Sequence, residues 1–172
     1  MAFQGKWVIQ PPRTTLVVGV ADMAVSNDSS AEIVTYSLGS CLGIAVYDPQ
    51  KKVGGLLHIM LPDSNIDPVK GQTSPFMFVD TGVPKLFQSL FSLGADRYRV
   101  VAKVAGGAQL LDQQGIFNIG ERNYKALSNM LARNNIVLQG TDVGGLSSRT
   151  MRMDLTTGKV TIKTPGNNLY FL

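Results

Sequence analysis

The sequence predicts an α+β fold of layered, mixed β-sheets with two main helices. Two observations carry this prediction: apolar, β-branched segments recur along the chain and are mostly linked as hairpins, and only two segments show helical spacing. The helices come late, so strands and helices do not alternate as they do in a parallel βαβ fold. The 172 residues are 44% apolar and 16% charged, which suits one folded domain and excludes a disordered chain.

The first predicted elements are strands that follow a leader. Residues 1–13 contain no apolar signal-peptide core and are expected to form a flexible leader, which leaves residues 14–172 as a single domain. Residues 15–20 are rich in β-branched side chains and predict a strand. A polar loop over residues 27–31 precedes a second strand over residues 33–37.

A β-hairpin is predicted next. Two apolar runs, residues 41–47 and 53–61, are separated by Asp48-Pro49-Gln50-Lys51, where an aspartate followed by a proline favours a tight turn. The later elements follow from helical spacing, from alternation and from glycine and proline breaks. They are a polar loop over 62–74, a helix over 80–93, a strand over 97–105, a helix over 120–133, a strand over 136–141, and a closing hairpin of strands 149–155 and 159–163.

The register of the first hairpin decides which of its side chains can act together. If the chain turns about the Pro49–Gln50 bond, paired residue numbers sum to 99, and Cys41 lies directly opposite His58 on one face. Directly opposed side chains have Cβ atoms about 4.5–5.5 Å apart, which lets an imidazole reach a thiol. A loop of odd length or a β-bulge would break this register. Gly43 and Gly54 leave space beside the pair that a substrate or a closely packed helix could fill.

Cys41 and His58 are the only cysteine and the only histidine of the chain. One cysteine excludes an internal disulfide, and the two residues are too few for a structural zinc site, so neither a metal nor a cofactor is expected. Each residue alone has an ordinary explanation as a buried side chain. Together they are a nucleophile and a base: the thiolate attacks an electrophilic carbon, and the imidazolium stabilises it and protonates the leaving group.

Neighbouring residues supply candidates for supporting roles. Gly39 and Ser40 form a tight turn whose backbone N–H groups could stabilise a tetrahedral oxyanion. A third group could orient the imidazole, and residue type alone does not choose among several. These candidates are Thr35, Ser40, Asp63 and Ser64.

The net charge of +4 is unevenly distributed along the chain. Residues 1–80 carry five Lys or Arg against seven Asp or Glu, and residues 81–172 carry eleven against five. These charges form no run, aromatic platform or nucleic-acid-binding motif, so no nucleic-acid partner is expected. The longest uncharged stretch, residues 33–47, contains polar side chains and is too short to cross a bilayer, so we expect a cytoplasmic protein without membrane insertion.

Several short motifs occur in a fixed order between Val18 and Ile162. They are TYSLGSC at 35–41, VGGLLHIMLPDS at 53–64, DT at 80–81, KVAGGA at 103–108, NIGERN at 118–123 and DVGG at 142–145. In this order they resemble the motifs of the CheD family of chemoreceptor glutamine deamidases. The resemblance covers most of the chain, and it is specific because the motifs occur together.

The resemblance implies a cytoplasmic chemotaxis enzyme that hydrolyses the side-chain amide of selected glutamines on methyl-accepting chemoreceptors to glutamate and ammonia. It implies Cys41 as nucleophile, His58 as general base and acid, and Thr35 as the third residue. It also implies the layered α+β fold of the deamidating cytotoxic necrotising factors. As a partner it implies the CheC-type phosphatase of the chemotaxis response regulator, which competes with receptors for the enzyme.

Two other classes of function are compatible with the sequence, and the chain departs from the family pattern at two neighbouring positions. A non-catalytic adaptor that binds receptors or the phosphatase would leave Cys41 merely buried, and a protease or transglutaminase would share the acyl-thioenzyme chemistry. The family usually has polar Asn and Arg where this chain has Leu146 and Ser147. Arg149 aligns with a family arginine, but contacts that the family makes through the two departing positions do not carry over.

Overall fold

Two five-stranded β-sheets pack face to face, and helices cover the outer face of the second sheet. The computed structural model describes residues 13–110 and 117–172. Over these residues the strands are β1 (Thr15–Val18), β2 (Asp22–Ser26), β3 (Glu32–Leu38), β4 (Leu42–Asp48), β5 (Val53–Ile59), β6 (Val101–Gly106), β7 (Val137–Val143), β8 (Arg149–Asp154), β9 (Val160–Thr164) and β10 (Asn168–Phe171). The helices are α1 (Pro68–Thr73), α2 (Val79–Ser92) and α3 (Ile119–Arg133). The predicted α+β class, with layered mixed sheets and two main helices, is confirmed.

The strand order brings distant parts of the chain into one sheet. The first sheet has the order β1-β3-β8-β9-β10, and the second has the order β2-β5-β4-β6-β7. β1 pairs parallel with β3 and β6 parallel with β7, and the other neighbours are antiparallel. Every residue of β4 and β5 is buried, because the first sheet covers one face of this hairpin and the helices cover the other.

Two apolar layers hold the first sheet, the second sheet and the helices together. Ile33 of the first sheet and Leu56 of the second belong to the layer between the sheets. Leu57 belongs to the layer beneath the helices, where it joins Leu86 of α2 and Leu127 of α3. Successive residues of β5 therefore face different layers, as the two-residue period of a strand requires.

The small residues of the hairpin let the two sheets approach closely. A Cβ atom on Gly43 would lie 2.8 Å from the Leu38 side chain, and one on Gly54 would overlap with Leu155. Both of those leucines belong to the layer between the sheets. The space that the sequence predicts beside His58 is thus filled by apolar side chains of the layer between the sheets.

The hairpin loop is two residues longer than predicted. Asp48 pairs with Val53, so the loop consists of residues 49–52. The Asp48 carboxylate accepts the backbone N–H groups of Gln50 and Lys51 at 2.9 and 3.1 Å. These hydrogen bonds fold the start of the loop into a tight turn, and the chain needs two further residues before it can return as a strand.

The longer loop shifts the pairing of the two strands. Gly43, and not Cys41, lies opposite His58, and paired residue numbers sum to 101 rather than 99. The loop length is still even, so His58 stays on the predicted face of the sheet. Cys41 precedes β4, so the prediction that it lies directly opposite His58 is wrong: the register is shifted by two residues along the strand.

Three elements were not predicted, and each has a weak sequence signal. β2 is short and lies at the edge of the second sheet. α1 has six residues and lies within the predicted polar loop. β10 is exposed along its whole length and so shows no alternation of buried and exposed residues. The other predicted strands and helices are present, with ends shifted by a few residues.

The structure bears on two further expectations, the leader over residues 1–13 and the absence of a membrane span. The predicted leader lies outside the described residues except for Arg13, whose guanidinium contacts Asp154 and Thr156. No described helix combines the length and the apolar character that a membrane span needs.

Asp48 is a buried anchor at the loop end of the hairpin. Besides the two loop N–H groups, its carboxylate accepts the Asp96 N–H at 2.8 Å and Arg99 Nη2 at 3.0 Å. Burial alone would raise the pKa of Asp48, but Arg99 and the backbone donors outweigh it and lower the pKa to about 2. The ionised carboxylate therefore ties the loop to the segment that leads into β6.

Replacing Asp48 by alanine should destabilise the fold by about 3 kcal/mol, because it leaves buried N–H groups and Arg99 without their acceptor. Urea denaturation followed by circular dichroism measures this loss. Asp96→Ala is the control: it removes a more exposed partner of the same arginine and should cost about 1 kcal/mol. Equal losses in the two variants would contradict the anchoring role of Asp48.

Candidate active site

Thr35 and His58 meet between the two sheets. Thr35 lies on β3 of the first sheet, His58 lies on β5 of the second, and both side chains are buried. Thr35 Oγ1 and His58 Nδ1 are 2.8 Å apart. Among the residues that the sequence offers to orient the imidazole, Thr35 is thus the one that contacts it.

The backbone of β1 fixes the direction of this hydrogen bond. The Thr35 hydroxyl lies 2.8 Å from the carbonyl oxygen of Val18, which pairs with it across the parallel strands. A carbonyl oxygen can only accept, so the single hydroxyl proton goes to Val18. Thr35 Oγ1 then accepts from His58 Nδ1–H. The imidazole therefore carries its proton on Nδ1 and has a lone pair on Nε2.

His58 Nε2 is buried and has no hydrogen-bond partner among the described residues. Burial lowers the pKa of His58 to about 4, so the ring is neutral at pH 7. Buried polar atoms of folded proteins are rarely left unpaired. A basic nitrogen with a free lone pair, in a ring held by its other nitrogen, is what a general base requires.

Cys41 lies just before β4, at the end of the hairpin that holds His58. Continued by one residue, the register would place Cys41 opposite Met60 and diagonal to His58, a relation in which Cα atoms are about 7–8 Å apart. The Cys41 side chain is partly buried against the layer between the sheets, and burial raises the pKa of its thiol. Because Nε2 has no partner, the thiol is not hydrogen-bonded to it. The resting pair is a neutral thiol and a neutral imidazole.

The turn before Cys41 is held by its carbonyl groups. Three consecutive carbonyls accept hydrogen bonds: Gly39 from Ala108 N–H at 2.7 Å, Ser40 from Asn123 Nδ2 at 3.2 Å, and Cys41 from Gly107 N–H at 2.8 Å. The backbone N–H groups of Gly39 and Ser40, in contrast, donate to no described residue. They are the two donors that the sequence suggests for an oxyanion, and no acceptor among residues 13–110 and 117–172 engages them.

Glycine is required where β6 ends against this turn. Gly106 has φ of +115°, and a Cβ atom there would overlap with the carbonyl oxygen of Cys41. A Cβ atom on Gly120, in the first turn of α3, would overlap with the carbonyl of Gly107. Both contacts press the end of β6 between the nucleophile turn and the helix, which fixes the backbone of Cys41.

Cys41 opens onto a groove of about 650 Å³. Gly39 and Ser40 line it on one side, and Leu110 and Phe117 contribute large apolar side chains. The N-terminal residues of α3 also line the groove, and the helix dipole there favours negative charge. His58 is not among the residues that line the groove, and its Nε2 is buried.

The remaining sequence candidates lie elsewhere. Asp63 accepts the N–H of Asn65 and caps a turn, and the Ser64 hydroxyl donates to Asp80 at 2.6 Å. Neither residue contacts His58. Leu146 is 72% exposed, which makes this departure from the family pattern a surface feature.

Asn123 is a residue of the site that the sequence analysis missed. Its side chain is fully buried and donates to the carbonyl groups of Ser40 and Met60 at 3.2 and 2.9 Å. It belongs to one of the motifs that carry the family resemblance, but an asparagine on a helix has no chemistry of its own that singles it out. The Val18 carbonyl escaped notice for the same reason, because it is a backbone group.

The family model and the sequence relatives agree on one family. The family model described as CheD chemotactic sensory transduction matches residues 60–164. The probable chemoreceptor glutamine deamidase CheD 1 of Syntrophus aciditrophicus (strain SB) is 47% identical over 154 residues, which cover 90% of this chain and 96% of that protein. The probable chemoreceptor glutamine deamidase CheD of Solibacter usitatus (strain Ellin6076) is 46% identical over 151 residues, covering 88% and 89%.

Among solved structures, this chain has a distant likeness to a Neisseria meningitidis protein of family-model DUF152. The TM-score is 0.43 and the identity 9%, over 77% of this chain and 63% of that one, which is too distant to bear on fold or function. The two CheD relatives, in contrast, match nearly the whole chain at 46–47% identity, and the family model spans more than half of the chain. This chain belongs to the CheD family.

Proposed function

We propose that this chain is a protein-glutamine glutaminase that converts glutamines of methyl-accepting chemotaxis receptors to glutamate and ammonia. Cys41 is the nucleophile, His58 the general base and acid, and Thr35 the residue that orients His58. The observation that carries this is the buried imidazole, protonated on Nδ1 and unpartnered at Nε2, on the strand paired with the one that Cys41 directly precedes. The named activity of the relatives supplies the substrate class.

The first half of the reaction forms a thioester. As Cys41 Sγ attacks the amide carbon of the glutamine side chain, its proton passes to His58 Nε2. The C–S bond forms, the carbonyl π electrons move to oxygen, and the carbon becomes tetrahedral. When the intermediate collapses, His58 returns the proton to the amide nitrogen, the C–N bond breaks, and ammonia leaves.

The second half hydrolyses the thioester. His58 Nε2 takes a proton from water, and the resulting hydroxide attacks the thioester carbon. The C–S bond breaks, the thiolate regains its proton from His58, and the glutamine has become glutamate. In both halves the Gly39 and Ser40 N–H groups are the proposed donors to the oxyanion, since no described acceptor engages them.

Burial of the pair explains why Thr35 suffices as the third residue. A carboxylate would stabilise a permanent imidazolium, whereas a neutral hydroxyl mainly fixes the tautomer and the orientation of the ring. In the neutral resting pair, fixing the ring matters more than stabilising an imidazolium, because His58 is charged only while it carries the transferred proton. The low pKa of His58 speeds return of that proton to the leaving nitrogen.

On the family resemblance we also propose a cytoplasmic site of action and a CheC-type phosphatase as a partner. A non-catalytic adaptor is the alternative function that must be separated from the enzyme. An adaptor would bind receptors whether or not the thiol is present, so a covalent role of Cys41 discriminates between the two.

The proposed activity predicts a mass change on receptor helices. Incubation of receptor cytoplasmic fragments with the protein should raise the mass of each modified glutamine by about one mass unit, read by tandem mass spectrometry. Cys41→Ser should abolish this change, because an alkoxide is far harder to generate than a thiolate, and His58→Asn should do the same. Thermal melting is the control: both variants should remain folded. An unchanged substrate with wild-type protein, or activity in Cys41→Ser, would contradict the proposal.

Thr35→Val should lower kcat by roughly 10–10³-fold while Thr35→Ser retains most of it. Valine keeps the shape but offers no acceptor to Nδ1–H, so the ring loses the contact that holds its tautomer. Serine keeps the hydroxyl and serves as the matched control. Full activity in Thr35→Val would show that the hydroxyl does not orient His58.

The buried, neutral His58 predicts an acid limb at low pH. kcat/KM should be nearly constant from about pH 5.5 to about pH 8, and should fall as the pH drops through the His58 pKa of about 4, since the protonated ring cannot accept the thiol proton. A limb with a midpoint near 6.5, the ordinary value for histidine, would contradict the buried neutral state.

This measurement needs a folding control. The His58 pKa is near 6.5 in the unfolded chain and about 4 in the folded one, so the unfolded state binds more protons between these values. Stability present above pH 6.5 is therefore lost as the pH falls toward 4. Circular dichroism at each pH identifies the range over which rates report on a folded enzyme.

A further inference from the structure

We infer that Asn123 is a positioning residue that holds the nucleophile turn in register with the strand that carries His58. The inference deepens the proposed function and rests on it for one of its two assays. Asn123 lies on α3, outside the β4–β5 hairpin, and contacts the backbone on both sides of it.

The two contacts of Asn123 join the chain segments of the nucleophile and the base. One proton of its Nδ2 group goes to the carbonyl of Ser40, the residue before Cys41. The other goes to the carbonyl of Met60, two residues after His58. Because the amide is planar and its protons point in fixed directions, one side chain sets the separation of the two segments.

This contact lies where the strand ladder ends. The last pair of β4 and β5 is Leu42 with Ile59, so Ser40 and Met60 lie beyond their pairing. Without a partner outside the hairpin, the Cys41 end would be free to fray away from β5. Asn123 takes the place that further strand pairing would have.

The helix that carries Asn123 is itself fixed against the same turn. Gly120, one turn earlier, packs onto the carbonyl of Gly107, and the Gly107 N–H donates to the Cys41 carbonyl. Leu127, one turn later, is fully buried in the layer beneath the helices. α3 therefore holds the Cys41 turn directly through Asn123 and indirectly through Gly107.

The other atom of the amide argues against a purely structural role. Asn123 Oδ1 is buried and has no hydrogen-bond partner among the described residues. A buried acceptor without a partner is unfavourable, and it offsets part of what the two donated hydrogen bonds contribute to stability. The contacts of Asn123 thus do more to fix geometry than to raise stability, and misplacing a nucleophile by about 1 Å can reduce rates by about 10²-fold.

The first assay measures deamidation kinetics of the full chain. Asn123→Leu keeps the approximate size and removes both donors, and Asn123→Asp keeps the shape while it can no longer donate. We expect kcat to fall roughly 10–100-fold in either folded variant, with KM within about twofold of wild type. Leu127→Ala is the control, because it weakens the packing of the same helix without touching the turn. Assayed at a temperature well below its melting temperature, this variant should retain the wild-type kcat.

The second assay needs no substrate and so separates this inference from the proposed function. Alkylation of Cys41 by iodoacetamide at pH 7 depends on proton removal by His58, so Asn123→Leu should slow it by roughly 10-fold in the wild-type background. In a His58→Asn background the same substitution should change the rate by less than about twofold, because no base remains to be positioned.

A loss of kcat and of His58-dependent alkylation in Asn123→Leu, with both retained in Leu127→Ala, supports the inference. Unchanged rates in Asn123→Leu, or losses in both variants that follow their melting temperatures, would overturn it. If wild-type protein deamidates no glutamine, the proposed function fails, and the alkylation comparison still decides the role of Asn123.

Discussion

The hydrogen bond between Thr35 and His58 is the contact on which the arrangement of the site depends. It joins a strand of one sheet to a strand of the other, so it exists only if the two sheets pack at the correct distance and offset. Gly43, opposite His58, meets that requirement, because a larger side chain would push against Leu38 of the first sheet. The parallel pairing of β1 with β3 then supplies the Val18 carbonyl, which gives the bond its direction. Sheet packing, strand order and the protonation of one ring are thus linked.

The nucleophile is held by a different set of forces. Cys41 lies outside the strand ladder, and the carbonyl groups of its turn accept from Gly107 and Ala108, which follow β6, and from Asn123 on α3. The glycines at the end of β6 allow this close approach at the expense of the conformational freedom that they lose on folding. His58 is fixed mainly by sheet packing and the Cys41 turn mainly by hydrogen bonds to its carbonyls, and Asn123 contacts both segments.

Much of this molecule could be predicted from its sequence, and the failures have physical causes. The α+β class and the hairpin that carries His58, with Cys41 just before its first strand, follow from residue type and periodicity. The register was wrong by two residues because the Asp48 side chain shapes the loop, and a side chain that caps its own loop is invisible to a pattern of apolar residues. The sequence offered Thr35 among four candidates, and only the packing of two sheets, which periodicity does not encode, brings it to His58. Asn123 could not be found at all, since its partners are backbone carbonyls far away in the chain.

The burial of His58 determines by which route ammonia leaves the site and water enters it. Of the two residues, only Cys41 lines the groove, and His58 Nε2 is closed off by the protein around it. In the proposed reaction the departing ammonia and the incoming water would therefore use the same passage beside the sulfur, in opposite directions. Any other small nucleophile that entered this groove would compete with water for the same acyl group, so transfer to that nucleophile and hydrolysis would share one intermediate.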